Sequence, residues 1–172
     1  MRPSYASALS ACGALPRLAA FSPVVIGTPA LGLDLPDSDI DIACHAADLD
    51  AFAEALDDSF KHLPGYRLVR REIRGVPSVI ARFTAERWPI EVFGQPVPVA
   101  KQYGVRHFRI AQKLLERHGE LLRNRVMAAR RRGAKTEPAL CAVLKLPGDP
   151  YEALLELEAW PPERIDALGA EL

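Results

Sequence analysis

Asp39-Ile40-Asp41-Ile42 alternates charge and hydrocarbon with a period of two. That is the period of a β-strand, on which Asp39 and Asp41 share one face while Ile40 and Ile42 share the other. Two anions held side by side on a rigid strand repel each other, and the fold gains nothing by placing them there. A divalent cation removes the conflict, and hard cations such as Mg²⁺ select carboxylate oxygens. The bland alternative is a solvated loop or an N-cap cluster ahead of the next helix, but the two isoleucines favour a strand.

The flanking sequence predicts a mixed chain. Residues 4 to 21 are rich in Ala and Leu and read as helix, interrupted near Gly13 and Pro16. Pro23-Val24-Val25-Ile26 is a short β-branched strand, and residues 29 to 38, with two prolines, Gly32 and two aspartates, read as a loop. Leu49, Phe52, Ala53, Leu56 and Phe60 recur at helical spacing, so residues 48 to 60 form an amphipathic helix with Asp48 in its first turn. Three further strands, at 66 to 73, 78 to 83 and 89 to 93, are joined by short connections and are most simply built as an antiparallel meander.

After Pro98 the pattern turns helical. A long helix is expected over 101 to 132 with a break at Gly119, then shorter ones at 138 to 144 and 150 to 157, the last with Asp149 as cap and Pro150 in the first position. The expected fold is α+β: a small mixed sheet with flanking helices in residues 1–98, and a C-terminal helical tail in 99–172 packed on it as one compact unit.

Composition narrows the function. The 172 residues, 49% hydrophobic and 26% charged, are enough for one ordinary core. Formal net charge is zero, so no overall field draws the protein to nucleic acid or membrane. With no basic, aromatic-lined stretch either, the sequence argues against a nucleic-acid partner. Cys12, Cys44 and Cys141 are odd in number and form no CxxC pair, as expected of reduced thiols in the cytoplasm. There is no signal peptide and no apolar run near the ~20 residues of a membrane span.

A third carboxylate repeats the apolar-acid-apolar context: Glu91 lies between Ile90 and Val92. Alone it reads equally well as a surface residue of an edge strand; beside the aspartates it reads as a further ligand on one or two cations. Gly27-Thr28 follows a hydrophobic strand, ten residues ahead of the aspartates; Gly lets a backbone approach a phosphate, and Thr28 offers a hydroxyl and an N–H. An EF-hand reading fails, because Ile42 stands where the loop needs Gly and Asp48 where it needs Glu. Arg67, Arg70, Arg71 and Arg74 offer charge to an anion; Arg130, Arg131 and Arg132 suit a helix C-terminus. Of the four histidines, only His107, between Arg106 and Arg109, invites a test.

With these residues the chain resembles the nucleotidyltransferase superfamily typified by DNA polymerase beta, kanamycin nucleotidyltransferase and the CCA-adding enzymes. The matching elements are Ile26-Gly27-Thr28, Asp39-Ile40-Asp41-Ile42 and Ile90-Glu91-Val92, with Thr28 where the superfamily usually has Ser or Gly. Across Gly27-Thr28-Pro29, Ser38-Asp39-Ile40-Asp41-Ile42, Glu91-Val92-Phe93-Gly94-Gln95-Pro96, Lys135-Thr136-Glu137-Pro138-Ala139 and Gly148-Asp149-Pro150-Tyr151, it looks like small bacterial members of unassigned function.

The resemblance implies a Mg²⁺-dependent transfer of a nucleoside monophosphate from an NTP, such as ATP, to a hydroxyl of a small-molecule or protein acceptor. Asp39 and Asp41 would hold two Mg²⁺ ions and Glu91 would join the catalytic one. Gly27, Thr28 and Lys135 would meet the nucleotide phosphates, although Thr136 serves equally well as a helix cap. The alternative is a nucleotide-binding regulatory or interaction module of the same fold without turnover.

Overall fold

Local capping chemistry sets the first elements. The Ser4 hydroxyl accepts the Ser7 N–H at 3.1 Å and opens helix α1 (Tyr5–Cys12), which Gly13 closes in a left-handed conformation at φ 63°. A one-turn helix, α2 (Ala14–Arg17), follows, and then strand β1 (Val24–Ile26). The computed structural model describes residues 2–171.

Part of the segment expected to be a loop is helical: α3 (Thr28–Leu31) occupies its start. Pro29 sits at the second position of α3, where its missing N–H has no intrahelical partner to lose. Strand β2 (Ile40–His45) begins one residue late, so Asp39 lies just ahead of the strand instead of on it. Asp48 then caps α4 (Leu49–Phe60), its carboxylate accepting the N–H groups of Asp50 at 2.9 Å and Ala51 at 3.0 Å.

The expected meander is present as β3 (Arg67–Ile73), β4 (Val76–Ala85) and β5 (Trp88–Gln95). Its first turn is Arg74-Gly75, so Val76 and Pro77, expected in the connection, are already paired in β4. Both turns, Arg74-Gly75 and Glu86-Arg87, hold two consecutive residues at positive φ, the hand that matches strand twist. The sheet order is β1-β2-β5-β4-β3. Only β2 and β5 run parallel; the other pairs are antiparallel, which makes the sheet mixed.

Alternation along the strands sorts the two faces. Ile40, Ile42, Val79, Ala81, Ile90 and Val92 are buried together with Phe52, Leu56 and Phe60 of α4. Each such aliphatic or aromatic side chain contributes about 1.5–3 kcal/mol by leaving water. Gly94 belongs to the same face, and a Cβ there would lie 2.2 Å from Phe52 Cε1. The Phe52 ring therefore rests on bare backbone. Gly94→Ala is expected to destabilise the protein by about 3 kcal/mol through overpacking, read as a lower midpoint in urea. An unchanged midpoint would refute this packing account.

The chain divides into two compact units, one of residues up to 30 with 36–105, the other of residues 31–35 with 106 onward. Helix α5 (Tyr103–Arg131) begins in the first and loses helical geometry at Gly119 (φ 60°, ψ −146°), the expected break. In the second unit follow α6 (Thr136–Val143), α7 (Pro150–Glu156) and α8 (Pro162–Ala167). Leu33, Leu114, Leu122, Val126, Leu140 and Leu154 form its core. Asp149 caps α7 by accepting from Tyr151 and Glu152 N–H at 3.0 and 3.1 Å.

Two sequence expectations acquire structural roles here. Arg130 donates to the Leu33 carbonyl at 3.0 Å and to the Thr136 hydroxyl at 2.6 Å. Thr136 is thus an acceptor inside α6 and not its cap; Lys135 holds the N-cap position without a side-chain capping bond. His107 is buried, with Nε2 2.8 Å from the Tyr151 carbonyl. Among the described residues no helix is long and apolar enough to cross a membrane.

Candidate active site

The face of the sheet opposite α4 carries the charged residues. Because β2 and β5 are parallel and in register, Asp41 stands directly opposite Glu91, and Glu91 in turn stands opposite Arg82 on β4. With neighbouring strands about 4.8 Å apart, these backbones form a short charged row across three strands. Ile26 pairs with Asp41 on the other side, which sets Gly27 at the end of that row.

Asp41 is strongly perturbed by this setting. Its pKa rises from 3.8 to about 7 because burial strips water from the carboxylate and because Asp39 and Glu91 repel it, with Arg82 offsetting part of the effect. A Cβ on Gly27, at φ 84°, would lie 2.4 Å from Asp41 Oδ2. Glycine is therefore required at 27 on two counts: the backbone conformation, and the carboxylate lying against it. Among the described residues, the oxygen anion that lies against Gly27 is the Asp41 carboxylate.

Glu91 is half-buried and bonded to Arg82, whose Nε and Nη2 approach Oε2 at 2.6 and 2.5 Å. Asp39 is exposed and shares a hollow of about 150 Å³ with Arg82 and Glu91. Asp41 and Glu91 share a larger cavity of about 440 Å³. The three acids are thus neighbours on the two interior strands β2 and β5 and just ahead of β2. Among the described residues, however, no three His, Cys, Asp or Glu side chains converge closely enough to hold a metal ion as they stand. Arg82 holds the third acid.

Thr28 donates its hydroxyl to Ser38 Oγ at 3.1 Å, tying α3 to the residue ahead of Asp39. Ser38 is 9% exposed, and its carbonyl accepts from Arg2 at 3.0 Å. Lys135 lies exposed in the second unit, at the start of α6. Sequence reasoning missed Arg82, although Ala81-Arg82-Phe83 shows the same apolar-charge-apolar context that singled out Glu91. Of the arginines considered for anion binding, Arg70 pairs with Asp50 at 2.6 Å, and Arg74 lies 3.9 Å above the Tyr103 ring.

A family model described as "Domain of unknown function (DUF4269)" matches residues 7–157. No curated protein matches the chain. Among solved structures it is similar to a Cid1 poly(U) polymerase mutant bound to MgATP, at 14% identity and a TM-score of 0.54, covering 90% of this chain and 48% of that one. Cid1 in complex with the UTP analogue UMPNPP gives 14% identity and 0.55 over 78% and 46%. The GLD-2/RNP-8 complex gives 12% and 0.52 over 90% and 55%. The chain spans about half the length of these structures. At such identities the likeness concerns the fold, which is that of the nucleotidyltransferases. It lends no support to the expectation that nucleic acid is not a partner, since one of these structures is of a poly(U) polymerase.

Proposed function

This chain belongs to the DUF4269 family, and from its acidic row we propose that it is a Mg²⁺-dependent nucleotidyltransferase acting on a hydroxyl of a small-molecule or protein acceptor. The observation that carries the reading is Asp41 opposite Glu91 on adjacent parallel strands, with Asp39 beside them and the Asp41 carboxyl pushed up to about 7 by burial and like charge. Arg82 offsets only part of this negative charge. Hard oxygen donors in a repelling cluster fit Mg²⁺, and Asp39 and Asp41 are the residues proposed to hold two ions, with Glu91 as the third donor.

When bound, the metal supplies charge neutralisation for a triphosphate and a more acidic acceptor hydroxyl. The protein's own groups do the positioning, which is most of what phosphoryl chemistry asks. Gly27 and Thr28 offer backbone and hydroxyl to the phosphates. Glu91 receives the proton as the acceptor oxygen bonds to the α-phosphorus, the α–β bridging bond breaks, and pyrophosphate leaves. Lys135 is retained as a proposed phosphate contact on the strength of the sequence resemblance, and Lys135→Gln tests it through nucleotide affinity.

The test is metal-dependent labelling of an acceptor from α-labelled ATP. Asp41→Ala is expected to lower it by about three orders of magnitude, as loss of a charge-stabilising group does. Equal labelling by both proteins removes the proposal.

One observation favours a second reading, nucleotide binding without turnover: Arg82 already neutralises Glu91. Calorimetric binding of Mg²⁺–ATP with no pyrophosphate released under any acceptor supports that module. RNA retained on a filter in a salt-dependent way would instead point to a nucleic-acid acceptor.

A further inference from the structure

We propose that the 440 Å³ cavity beside the acids is the acceptor site, and that it takes a compact acceptor with an apolar body, one hydroxyl, and one anionic group at the far end. The inference rests on the nucleotidyltransferase reading and adds the substrate's chemical class. All residues of the cavity belong to the first unit.

Three features specify the occupant. The first is polarity along the cavity. At one end stand Asp41 and Glu91; at the other, the β3–β4 turn and the segment after β5 bring Arg74 and Lys101. Along β5, Glu91 to Gln95 spans roughly 13 Å at about 3.3 Å per residue, the length of a small bicyclic molecule with a substituent at each end. The Arg74 guanidinium is already placed over the Tyr103 ring at 3.9 Å, so little side-chain freedom is lost when it meets an anion.

The second feature is the wall between the charged ends. Ile26, Ile73, Val76, Phe93 and Val97 line it, an apolar body's complement and a poor one for a triphosphate. The third is Gln102, which is 2% exposed. Its amide N–H groups donate to the Cys44 and Val97 carbonyls at 2.8 and 3.0 Å, while Oε1 is buried with no hydrogen-bond partner among the described residues. Tied to two backbone carbonyls, Gln102 is a fixed part of the cavity wall, which keeps the cavity's shape preformed for its occupant.

The lining also separates this occupant from the nucleotide. It includes Ile26 but neither Gly27 nor Thr28, the pair proposed for the phosphates. Acceptor and triphosphate then reach Asp41 and Glu91 from different sides, as transfer between two substrates needs. The acceptor oxygen forms a bond to the α-phosphorus of the nucleoside triphosphate, its proton passes to Glu91, and the α–β bond breaks with pyrophosphate as leaving group.

The probe is 6-hydroxy-2-naphthoate, a fluorescent bicycle with a hydroxyl and a carboxylate at opposite ends. It is expected to bind the whole chain with a Kd of roughly 1 mM or tighter for its size. Val97→Trp and Ile73→Trp, which fill the cavity from different walls, are each expected to weaken it at least about tenfold. Arg74→Gln and Lys101→Gln are each expected to weaken it about fivefold, and 2-naphthol, lacking the carboxylate, is expected to be indifferent to both.

Binding that persists under saturating Mg²⁺ and α,β-methylene ATP, and that falls in both tryptophan variants, supports the assignment. No binding, displacement by the nucleotide analogue, or binding unaffected by either tryptophan overturns it. Failure of the transferase reading shows separately, as absent release of pyrophosphate with every acceptor, and leaves the naphthoate affinities as they were.

Discussion

Stripped of divalent cations at pH 8, the Asp41→Asn protein is expected to melt about 10 °C above the unsubstituted chain. The carboxyl titrates at 3.8 ordinarily and at about 7 in the fold, the shift coming first from burial and then from Asp39 and Glu91. Between those values the folded chain holds a proton that the unfolded chain has released, so stability falls as pH rises from about 4 to about 7 and is level above. At 1.36 kcal/mol per pH unit the penalty above pH 7 is on the order of 4 kcal/mol, and each kcal/mol moves the midpoint of a domain this size by about 2–4 °C.

Asparagine keeps the shape and drops the charge, so its melting point is expected to lack the slope between pH 4 and 7. Mg²⁺ is expected to raise the melting point of the unsubstituted protein and not that of the variant. The same change would end catalysis, which is the usual relation between a strained functional charge and stability. Equal melting points and equal pH slopes would show that Asp41 is solvated and that no cation is needed there.

What the sequence allowed one to read depended on how local the determining physics is. The meander was legible because β-branched runs and tight turns follow one another in the chain; even so, the first turn proved to be Arg74-Gly75, and β4 begins two residues earlier than expected. The parallel pairing of β2 with β5 is not local. It joins residues 50 apart, Asp41 and Glu91, and only their shared apolar-acid-apolar context hinted that they would meet.

Other misses have comparable causes. Pro29 marked a loop by its reputation, yet it fits the first turn of a helix as short as α3. Arg82 went unread because a single arginine in an apolar strand looks like a solvated residue. Its importance appears only once Glu91 is opposite it at hydrogen-bonding distance. Lys135 was singled out by resemblance alone, and its position at the exposed start of α6 adds nothing to the argument for it. Gly27 was chosen for a good reason, close approach of an oxygen anion to bare backbone, though the anion nearest it is the protein's own.

Gly27 yields the second large effect. In Gly27→Ala the new Cβ would sit 2.4 Å from Asp41 Oδ2, closer than such atoms approach, so either the carboxylate or the β1–α3 backbone must move. The left-handed backbone adds about 1–2 kcal/mol of strain for a non-glycine residue. Gly75 makes the comparison clean: it has φ 77°, close to the 84° of Gly27, but a Cβ there meets nothing within 4 Å. Gly75→Ala therefore carries the backbone strain without the collision.

Both variants are expected to lose similar stability from strain. Only Gly27→Ala is expected to lose the Mg²⁺-induced rise in melting temperature and to slow nucleotidyl transfer by about a hundredfold, the scale on which ångström misplacement of a catalytic group acts. Should the two alanine variants respond to Mg²⁺ alike, the contact between Gly27 and Asp41 would be incidental. Glycine at 27 would then be explained by backbone conformation alone.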